Sequence, residues 1–263
     1  MHKTLFTSSM VETFRTCKRA YRLASMQYRD GSAKAHLKSI CKRFILKGLA
    51  DINRGKLTTV NQVQKFMGQS WPADKLSVYI EDKDKATRAF LFAYKTLTRY
   101  VGKPYKPEGA ETVAAALRVR ARVPHVRVYV EDTIDMILWY PEERRLEMVD
   151  YQVRQLPHFD PLWPSPEALI KQFLADKLKM RWPFEKLTLT FIRVGVEDYQ
   201  PISITLDEAI FRLHWSELVQ TLEEMKTAQE PYGSCETDCQ HCTTLEQKEL
   251  SDLRVQEPFS MTA

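Results

Sequence analysis

The sequence predicts an α/β or α+β protein in which a helical region precedes a small sheet. Apolar residues recur at helical spacing in the first part of the chain, β-branched residues crowd residues 111–140, and strand and helix patterns alternate after that. The composition agrees, because 44% of the 263 residues are hydrophobic and 28% are charged, as in soluble globular proteins. A mainly disordered or fibrous chain is therefore excluded.

Four helices are predicted in the N-terminal region. The first begins at a capping signal, in which Ser9 is followed three residues later by Glu12, and it continues with an apolar stripe that includes Phe14 and Tyr21. The second ends just before Gly55. The predicted ranges are 8–29, 35–53, 60–70 and 83–101, and a proline-containing loop follows at 103–109.

The pattern changes to strands at residue 111. Residues 111–140 are rich in Val, Ile, Leu and Tyr with alternating arginines, which is typical of strands. More strands follow, with one helix inserted among them and another leading to the C-terminal region. The predicted strands include 133–140, 146–153 and 187–194, the helices are 166–180 and 206–229, and residues 243–263 form a polar, loosely ordered tail.

Basic residues are concentrated at the start of the chain. Residues 1–60 hold thirteen Lys and Arg against three Asp and Glu, whereas the whole chain has a net charge of only +5. Such a surface attracts anions, of which nucleic acid is the commonest large one. The alternative is a helix with a solvated basic face.

No apolar run has the length of a membrane span and residues 1–6 lack a signal-peptide core, so we expect a cytoplasmic protein with no membrane partner.

The five cysteines predict a metal centre. Three of them form a C-x3-C-x2-C cluster at Cys235, Cys239 and Cys242. Without an export signal, such a cluster is expected to bind metal rather than form disulfides. The fourth ligand could be Cys17, Cys41 or His241, although Cys41 lies in an apolar stretch and is better explained as a buried core thiol. The spacing does not distinguish zinc from an iron–sulfur cluster.

A predicted hairpin places two carboxylates side by side. Two apolar runs flank a turn signal, and pairing outward from Glu142 and Glu143 at the tip puts Asp135 opposite Asp150. Directly opposed residues have Cβ atoms about 4.5–5.5 Å apart on the same face. Strict alternation assigns Ile134 to the other face, which is also apolar, so the sheet is expected to be buried on both sides.

Two buried carboxylates at this distance repel each other, and something must offset that repulsion. A hard divalent cation is the simplest candidate, because Mg²⁺ and Mn²⁺ prefer carboxylate oxygens. Two alternatives remain open: a slip of the hairpin register, or a separate ion pair for each aspartate with an arginine such as Arg118 or Arg154.

Four segments, in order, carry a family resemblance. They are Ser9…Phe14-x-x-Cys17-Lys18-Arg19-x-Tyr21; Asp132-Thr133-Ile134-Asp135; Val149-Asp150-Tyr151-Gln152; and the helix holding Gln172 with the strand, helix and three cysteines that follow. This set resembles the RecB/AddB-like branch of the PD-(D/E)XK nucleases, in the subgroup with an iron–sulfur cluster that includes the CRISPR-associated adaptation nuclease. The resemblance spans residues 9–242, and the ordered set is more specific than any single motif.

The resemblance implies a restriction-endonuclease-like fold, with a central mixed sheet flanked by helices, an N-terminal helical region and a C-terminal iron–sulfur cysteine cluster. It implies three parts of the chain: a basic helical region at 1–110, a nuclease-like core at 111–230, and the cysteine segment with its polar tail at 231–263. By the same resemblance, a [4Fe–4S] cluster is held by Cys17, Cys235, Cys239 and Cys242.

The resemblance also implies the residues of a catalytic site. Asp135 and Asp150 would bind Mg²⁺ or Mn²⁺, which activates water and stabilises the phosphodiester transition state. Gln152 and Gln172 stand at the family's other catalytic positions. The basic residues expected to contact nucleic acid are Arg15, Lys18, Arg19, Arg22 and Arg154.

Three departures from the family pattern bear on activity. Gln152 stands where the family has its catalytic lysine, and Arg154 on the same strand face carries a charge but exchanges no proton at neutral pH. The family's metal-binding histidine has no clear counterpart, since Cys41 and Phe44 lie where it is expected. Asp176 replaces a tyrosine. Together these departures predict weakened or lost cleavage.

Three functions follow from these observations. The first is a DNA-binding, nuclease-like iron–sulfur protein of defence, recombination or repair with weakened cleavage. The second is an active Mg²⁺- or Mn²⁺-dependent DNA exonuclease or endonuclease. The third is a zinc-stabilised scaffold in a larger complex. The expected partners are DNA, as single strands or duplex ends, and a larger nucleoprotein complex.

Overall fold

A six-stranded mixed sheet forms the centre of the protein in the computed structural model, which describes residues 4–22, 37–73, 83–153, 164–195 and 199–227. The strands are β1 (Leu5–Thr7), β2 (Glu111–Val123), β3 (Val128–Tyr140), β4 (Arg145–Val153), β5 (Lys186–Val194) and β6 (Gln200–Ile204). The helices are α1 (Ser8–Thr16), α2 (Leu37–Asn53), α3 (Val60–Ser70), α4 (Lys83–Gly102), α5 (Pro166–Ala175) and α6 (Glu208–Thr227). The α/β class predicted from the sequence is confirmed.

Helices cover both faces of the sheet. On one face, α1, α5 and α6 bury a core that includes Phe14, Ile137 and Leu169. On the other, α2, α3 and α4 bury a second core that includes Leu49, Met136 and Tyr151. No helix in the described ranges is long and apolar enough to cross a membrane.

The helices begin where local chemistry satisfies their first backbone N–H groups. Thr59 and Gln62 form a reciprocal capping box at the start of α3. At the start of α5, the Ser165 side chain accepts from the N–H of Ala168, and Pro166 occupies the first helical position. This cap fixes the direction in which α5 enters the protein, which matters because α5 carries part of the site.

The structure corrects several predicted boundaries. The helix predicted over 8–29 is interrupted at Cys17, whose backbone is extended, before residues 18–22 turn helical again. The helix predicted over 166–180 ends at Ala175 and continues as turns. Strand β3 begins at Val128 rather than 133, and β1 and β6 were not predicted at all, because three and five residues are too few to show a period.

The predicted hairpin register is confirmed. Strands β3 and β4 pair antiparallel from Tyr140–Arg145 to Met136–Val149, which is the register that a tip at residues 142–143 requires. The face assigned to Ile134 was wrong, since Ile134 packs in the same core as Ile137 while Met136 packs in the other. Alternation along β3 therefore breaks next to Asp135.

Strand β3 has a divided edge. Along its other edge it pairs with β2, but on this edge it pairs with β1 over residues 129–131, in parallel, and with β4 over residues 136–140. In the described part of the chain, residues 132–135 have no strand partner on this edge. Side chains of α1 and α5 contact this unpaired stretch: Ser8 of α1 and Lys171 of α5 both reach Asp132.

Candidate metal and nucleic-acid site

The gap in β3 forms the floor of a cavity of about 960 Å³. Residues from β1, α1, α2, β2, β3, β4 and the start of α5 line it. They include carboxylates at Glu12, Asp132, Asp135, Asp150 and Glu167, bases at Lys42, Arg43, Lys47 and Arg54, hydroxyls at Thr7, Ser8, Ser9, Thr133 and Ser165, and apolar groups at Leu46, Ala50 and Ala116. The cavity therefore has an acidic floor and a basic wall.

Asp135 and Asp150 lie beside each other at this floor, as the hairpin register predicts. Just past the last β3–β4 pair, the backbone N–H of Tyr151 donates to Asp135 Oδ2 at 2.8 Å, so a carboxylate replaces the next rung of the ladder. Burial and the neighbouring charge of Asp150 raise the pKa of Asp135 well above its usual range. Without a bound cation, these two effects favour the neutral form of Asp135 over the charged form.

Asp150 is the ionised member of the pair. Burial alone would raise its pKa, but the ammonium of Lys171 and hydrogen bonds from Glu167 and Asp135 outweigh burial and hold the pKa of Asp150 below its usual range. The pair thus divides into a neutral and a charged carboxyl group. This is the pattern expected when two buried acids share one proton.

Lys171 of α5 is the cation that neutralises the floor, and sequence reasoning missed it. Only 1% of its side chain is exposed, and Nζ lies 3.1 Å from Glu167 Oε1, 3.3 Å from Asp150 Oδ2 and 3.4 Å from Asp132 Oδ2. These three carboxylates raise the pKa of Lys171 well above its usual range despite burial, which acts in the opposite sense. Lys171 therefore stays charged and acts as a fixed positive charge beneath the cavity floor.

Glu167 and Asp132 complete the acidic cluster. Burial raises the pKa of Glu167 to about 8, with Lys171 opposing the shift and Asp150 adding to it. Asp132 Oδ2 accepts from Ser8 Oγ at 2.8 Å, which joins the start of α1 to the gap in β3. A carboxyl group with a pKa near 8 exchanges its proton at physiological pH, as a general acid or base must.

Gln152 follows Asp150 by two residues on β4. Its Nε2 lies 3.0 Å from Asp150 Oδ2 and 3.4 Å from Glu167 Oε2, so it faces the acidic cluster. The amide donates hydrogen bonds there but carries no charge. The positive charge at this place comes from Lys171 on the neighbouring helix.

The carboxylate pair suits a hard divalent cation. Mg²⁺ is commonly bound by one or two carboxylates together with water and substrate phosphate, and the charge of Asp150 contributes to the raised pKa of Asp135, so a cation between them would relieve this repulsion. Among the described residues, no group of three or more His, Cys, Asp or Glu side chains is arranged to hold a metal ion unaided. The chain therefore offers a two-carboxylate site rather than a closed cage.

The backbone beside the pair is strained. Ala116 of β2 lies between the residue pairs Ala115–Met136 and Leu117–Ile134, and its φ is +49°, in the left-handed region that residues with a side chain avoid. Arg54 Nη2 donates to the carbonyl of Ala115 at 2.6 Å. A helix of the basic wall is thereby fixed to the strand that borders Asp135.

The other predicted site residues are placed differently. Gln172 is half-buried on α5 and does not line the cavity, because one step along a helix turns its side chain away from that of Lys171. The residues Arg15, Lys18, Arg19 and Arg22 do not line the cavity either. Lys18 instead forms an ion pair with Glu224 of α6. Arg154 lies outside the described residues.

An ion pair between Arg118 and one of the two aspartates, left open by the sequence, does not form in the structure. Arg118 and Arg120 both bind Glu131, with Arg120 Nη2 at 2.6 Å from its Oε2. Glu131 is only 4% exposed, so these arginines neutralise a buried carboxylate one step before the gap. Neither arginine reaches Asp135 or Asp150 in an ion pair in the part of the chain that the structure describes.

The two described cysteines have separate environments. Cys17 is buried between α1 and the helical residues 18–22, and its Sγ accepts from the N–H of Ala20 at 3.3 Å. Cys41 is buried in the core formed by α2, α3 and α4, where its Sγ donates to the carbonyl of Ala89, which confirms its prediction as a core thiol. Cys235, Cys239 and Cys242 lie outside the described residues, so the cysteine cluster stays a prediction.

Comparisons with known proteins support the fold. No family model and no curated protein matches the sequence. The described fold is an α/β fold in which helices cover both faces of a six-stranded mixed sheet. The particular likeness is to the crystal structure of a "Putative exonuclease" from Eubacterium rectale, with a TM-score of 0.52 at 12% identity over 90% of this chain and 86% of that chain. The alignment with the structure of SSO0001 covers 88% of this chain and all of that one at 12% identity, with a TM-score of 0.34.

Proposed function

We propose that this protein is a DNA-binding, metal-dependent nuclease in which Lys171 replaces the strand lysine. The observation that carries the proposal is the approach of Lys171 Nζ to within 3.3 Å of Asp150 Oδ2, beside the side chain of Gln152. The missing charge at residue 152 was the main reason to expect lost cleavage. A buried lysine from α5 supplies that charge to the same carboxylate.

Different residues at this floor would bind the metal, position the carboxylates and exchange a proton. Asp135 and Asp150 would hold Mg²⁺ or Mn²⁺, which supplies a Lewis acid for the phosphodiester and lowers the pKa of bound water. Lys171 keeps three carboxylates close together and acts as a positioning residue, because its side chain is buried beneath them. Glu167, with its raised pKa, is suited to accept and return a proton at its carboxyl group.

Cleavage of DNA tests this proposal. Purified protein is incubated with end-labelled single-stranded and duplex DNA in Mg²⁺, Mn²⁺ or EDTA, beside the Asp150→Ala variant. We expect metal-dependent products from the native protein and none from the variant. Absence of metal-dependent cleavage by the native protein would contradict the proposal.

A non-cleaving DNA-binding protein is the second candidate. Gln152 favours it, because a neutral amide at this position removes a charge from the cavity surface while Lys171 lies below that surface. In that case the native protein and Asp150→Ala bind DNA alike, and neither produces fragments. Cleavage that Asp150→Ala abolishes would exclude this candidate.

We also propose that Cys17 joins Cys235, Cys239 and Cys242 around a [4Fe–4S] cluster. Cys17 fits a ligand role, because a backbone N–H already points at its sulfur, which favours a thiolate. The end of α6 lies nearby, since Glu224 pairs with Lys18, and Cys235 follows Thr227 by eight positions along the chain. That length spans at most roughly 26–29 Å, which allows the cluster to close.

Iron, zinc and acid-labile sulfide analysis of anaerobically purified protein tests the cluster. Four iron atoms and four sulfides per chain support it. One zinc with no sulfide would support the alternative, a zinc-stabilised scaffold.

A further inference from the structure

Helix α2 presents a basic stripe to the cavity. Arg43, Lys47 and Arg54, together with Lys42 one position before the stripe, line the wall that faces the acidic floor. From Arg43 to the end of α2 at Asn53 the helix rises about 15 Å, and Arg54 follows directly. None of these residues was among the basic groups predicted to bind nucleic acid.

Apolar residues alternate with these charges. Leu46 and Ala50 lie on the same cavity wall as Arg43 and Lys47, at the i+3 and i+4 positions that place them on one helix face. Such a surface offers positive charges for phosphates and apolar contact for bases or sugars. A duplex keeps its bases paired inside and has no apolar face to present to this wall, whereas a single strand has one.

The acidic floor makes the basic wall necessary. The carboxylates of Asp132 and Asp150 outnumber the single positive charge of Lys171 and repel a polyanion, so a phosphate comes near them only if other groups hold the strand in place. The cavity volume of about 960 Å³ is that of a large small-molecule pocket and suits a few nucleotides of one strand. The basic wall and the acidic floor line the same cavity, so a strand bound to the wall lies across the floor.

We propose that α2 binds the phosphates of a single DNA strand through Lys42, Arg43 and Lys47, and so guides it across the carboxylates. This inference rests on the proposed function, because it names the substrate that the site receives. Arg54 has a second role, since it is fixed to Ala115 of β2. Lys47 also lies over the ring of Phe66, with Nζ 5.4 Å from its centroid, which holds the base of this side chain against α3.

The test is the salt dependence of DNA binding in EDTA, where metal-dependent cleavage is suppressed. The probe is a fluorescein-labelled dT12 strand, and the variant is Lys42→Gln/Arg43→Gln/Lys47→Gln, whose three side chains are exposed. The matched control is Lys65→Gln/Lys103→Gln/Lys177→Gln, which removes the same charge at exposed sites outside the cavity. Circular dichroism and thermal melting establish that both variants fold.

The expected result is quantitative. Each lost phosphate contact lowers the slope of log K against log salt concentration by about 0.7 for a single strand. The α2 variant should therefore lose about two units of slope and up to about a hundredfold in affinity at 0.1 M salt, whereas the control keeps the native slope. A native slope in the α2 variant, an equal loss in the control, or absence of binding by the native protein would overturn the proposal.

Two further arms separate this inference from the proposed function. A 12-base-pair duplex should bind more weakly than dT12, and tighter duplex binding would overturn the assignment to a single strand. In Mn²⁺, the α2 variant should cleave with a raised KM and an unchanged kcat. If the native protein binds dT12 through α2 but does not cleave it, the proposed function fails and this inference stands. If the native protein cleaves and the α2 variant cleaves with the same KM, the inference fails and the proposed function stands.

Discussion

Lys171 on helix α5 and Gln152 on strand β4 reach the same oxygen atom. Lys171 Nζ lies 3.3 Å and Gln152 Nε2 lies 3.0 Å from Asp150 Oδ2. A positive charge and a neutral hydrogen-bond donor thus reach this oxygen from two different side chains. Because both side chains contact Asp150, substitutions at residues 171 and 152 should have non-additive effects on stability, and a double-mutant cycle measures this.

Removing the charge of Lys171 should destabilise the protein strongly. Lys171→Met leaves Asp132, Asp150 and Glu167 without their shared cation, and loss of one partner from a buried ion pair costs about 3–5 kcal/mol. Urea denaturation at pH 7.5 in EDTA measures the free energy of unfolding. Lys179→Met, which removes an exposed partner of Asp176, serves as the control and should change it by less than about 0.5 kcal/mol. Equal stability of the two variants would show that Lys171 does not neutralise the cluster.

Moving the positive charge from α5 to β4 should restore stability that the single substitution Lys171→Gln removes. In Lys171→Gln/Gln152→Lys, the ammonium returns to Asp150 from the strand side, because residue 152 already contacts that oxygen. We expect the double variant to recover more than half of the stability lost by Lys171→Gln, and a double-mutant cycle gives the coupling. Additive effects of the two substitutions would mean that they do not share Asp150.

The unliganded protein should lose stability as the pH rises from 5 to 9. Glu167 has its pKa raised to about 8 from the ordinary 4.5, so its contribution is complete below the unfolded value and is lost as the pH rises through the folded value. Asp135, also raised, acts in the same direction. Asp150, whose pKa is lowered, contributes evenly in this range and loses its contribution only in acid.

Chemical denaturation in EDTA at intervals between pH 5 and pH 9 measures whether the free energy of unfolding falls as the pH rises. Glu167→Gln keeps a neutral side chain of the same shape and should flatten much of the curve. If stability rises with pH in the native protein, the protonated state assigned to Glu167 is wrong. If Glu167→Gln leaves the slope unchanged, another group is responsible.

Cys17 and Cys41 should respond oppositely to substitution. Cys17→Ser should lower the content of bound iron or zinc and the visible absorbance of the protein, because Cys17 is the described member of the proposed ligand set. Cys41→Ser should keep the metal while lowering the melting temperature, because it places a hydroxyl in an apolar core. Metal analysis with spectroscopy separates the two effects, and equal metal content in Cys17→Ser and native protein would exclude Cys17 as a ligand.

The hairpin register was predictable because local signals agreed. Two apolar runs flank Pro141-Glu142-Glu143-Arg144, and a slip of one residue would turn every buried side chain of β4 toward the wrong core. The proximity of Asp135 and Asp150 follows from that register alone. The side of Ile134 was not predictable, because β3 loses its alternation where β1 and β4 divide its edge.

Lys171 could not be recognised from sequence. With Glu167 four residues before it, Lys171 has the spacing of a common surface ion pair on a helix. Only the position of α5 under the divided edge buries Lys171 and brings it, with the half-buried Glu167, beside Asp132 and Asp150. The basic wall left a stronger signal, since Lys42, Arg43 and Lys47 belong to the positively charged first sixty residues, but the charge count did not say which of these face the acids.

The divided edge of β3 also sets how the site tolerates change. Its width is fixed by two sets of backbone hydrogen bonds, one to Leu5–Thr7 and one to Arg145–Val149, rather than by the side chains that project from it. Substitutions on the floor can therefore alter charge and chemistry without closing the opening. An insertion or deletion in either neighbouring strand has the opposite effect, because it moves the boundary of the opening while every acidic residue is retained.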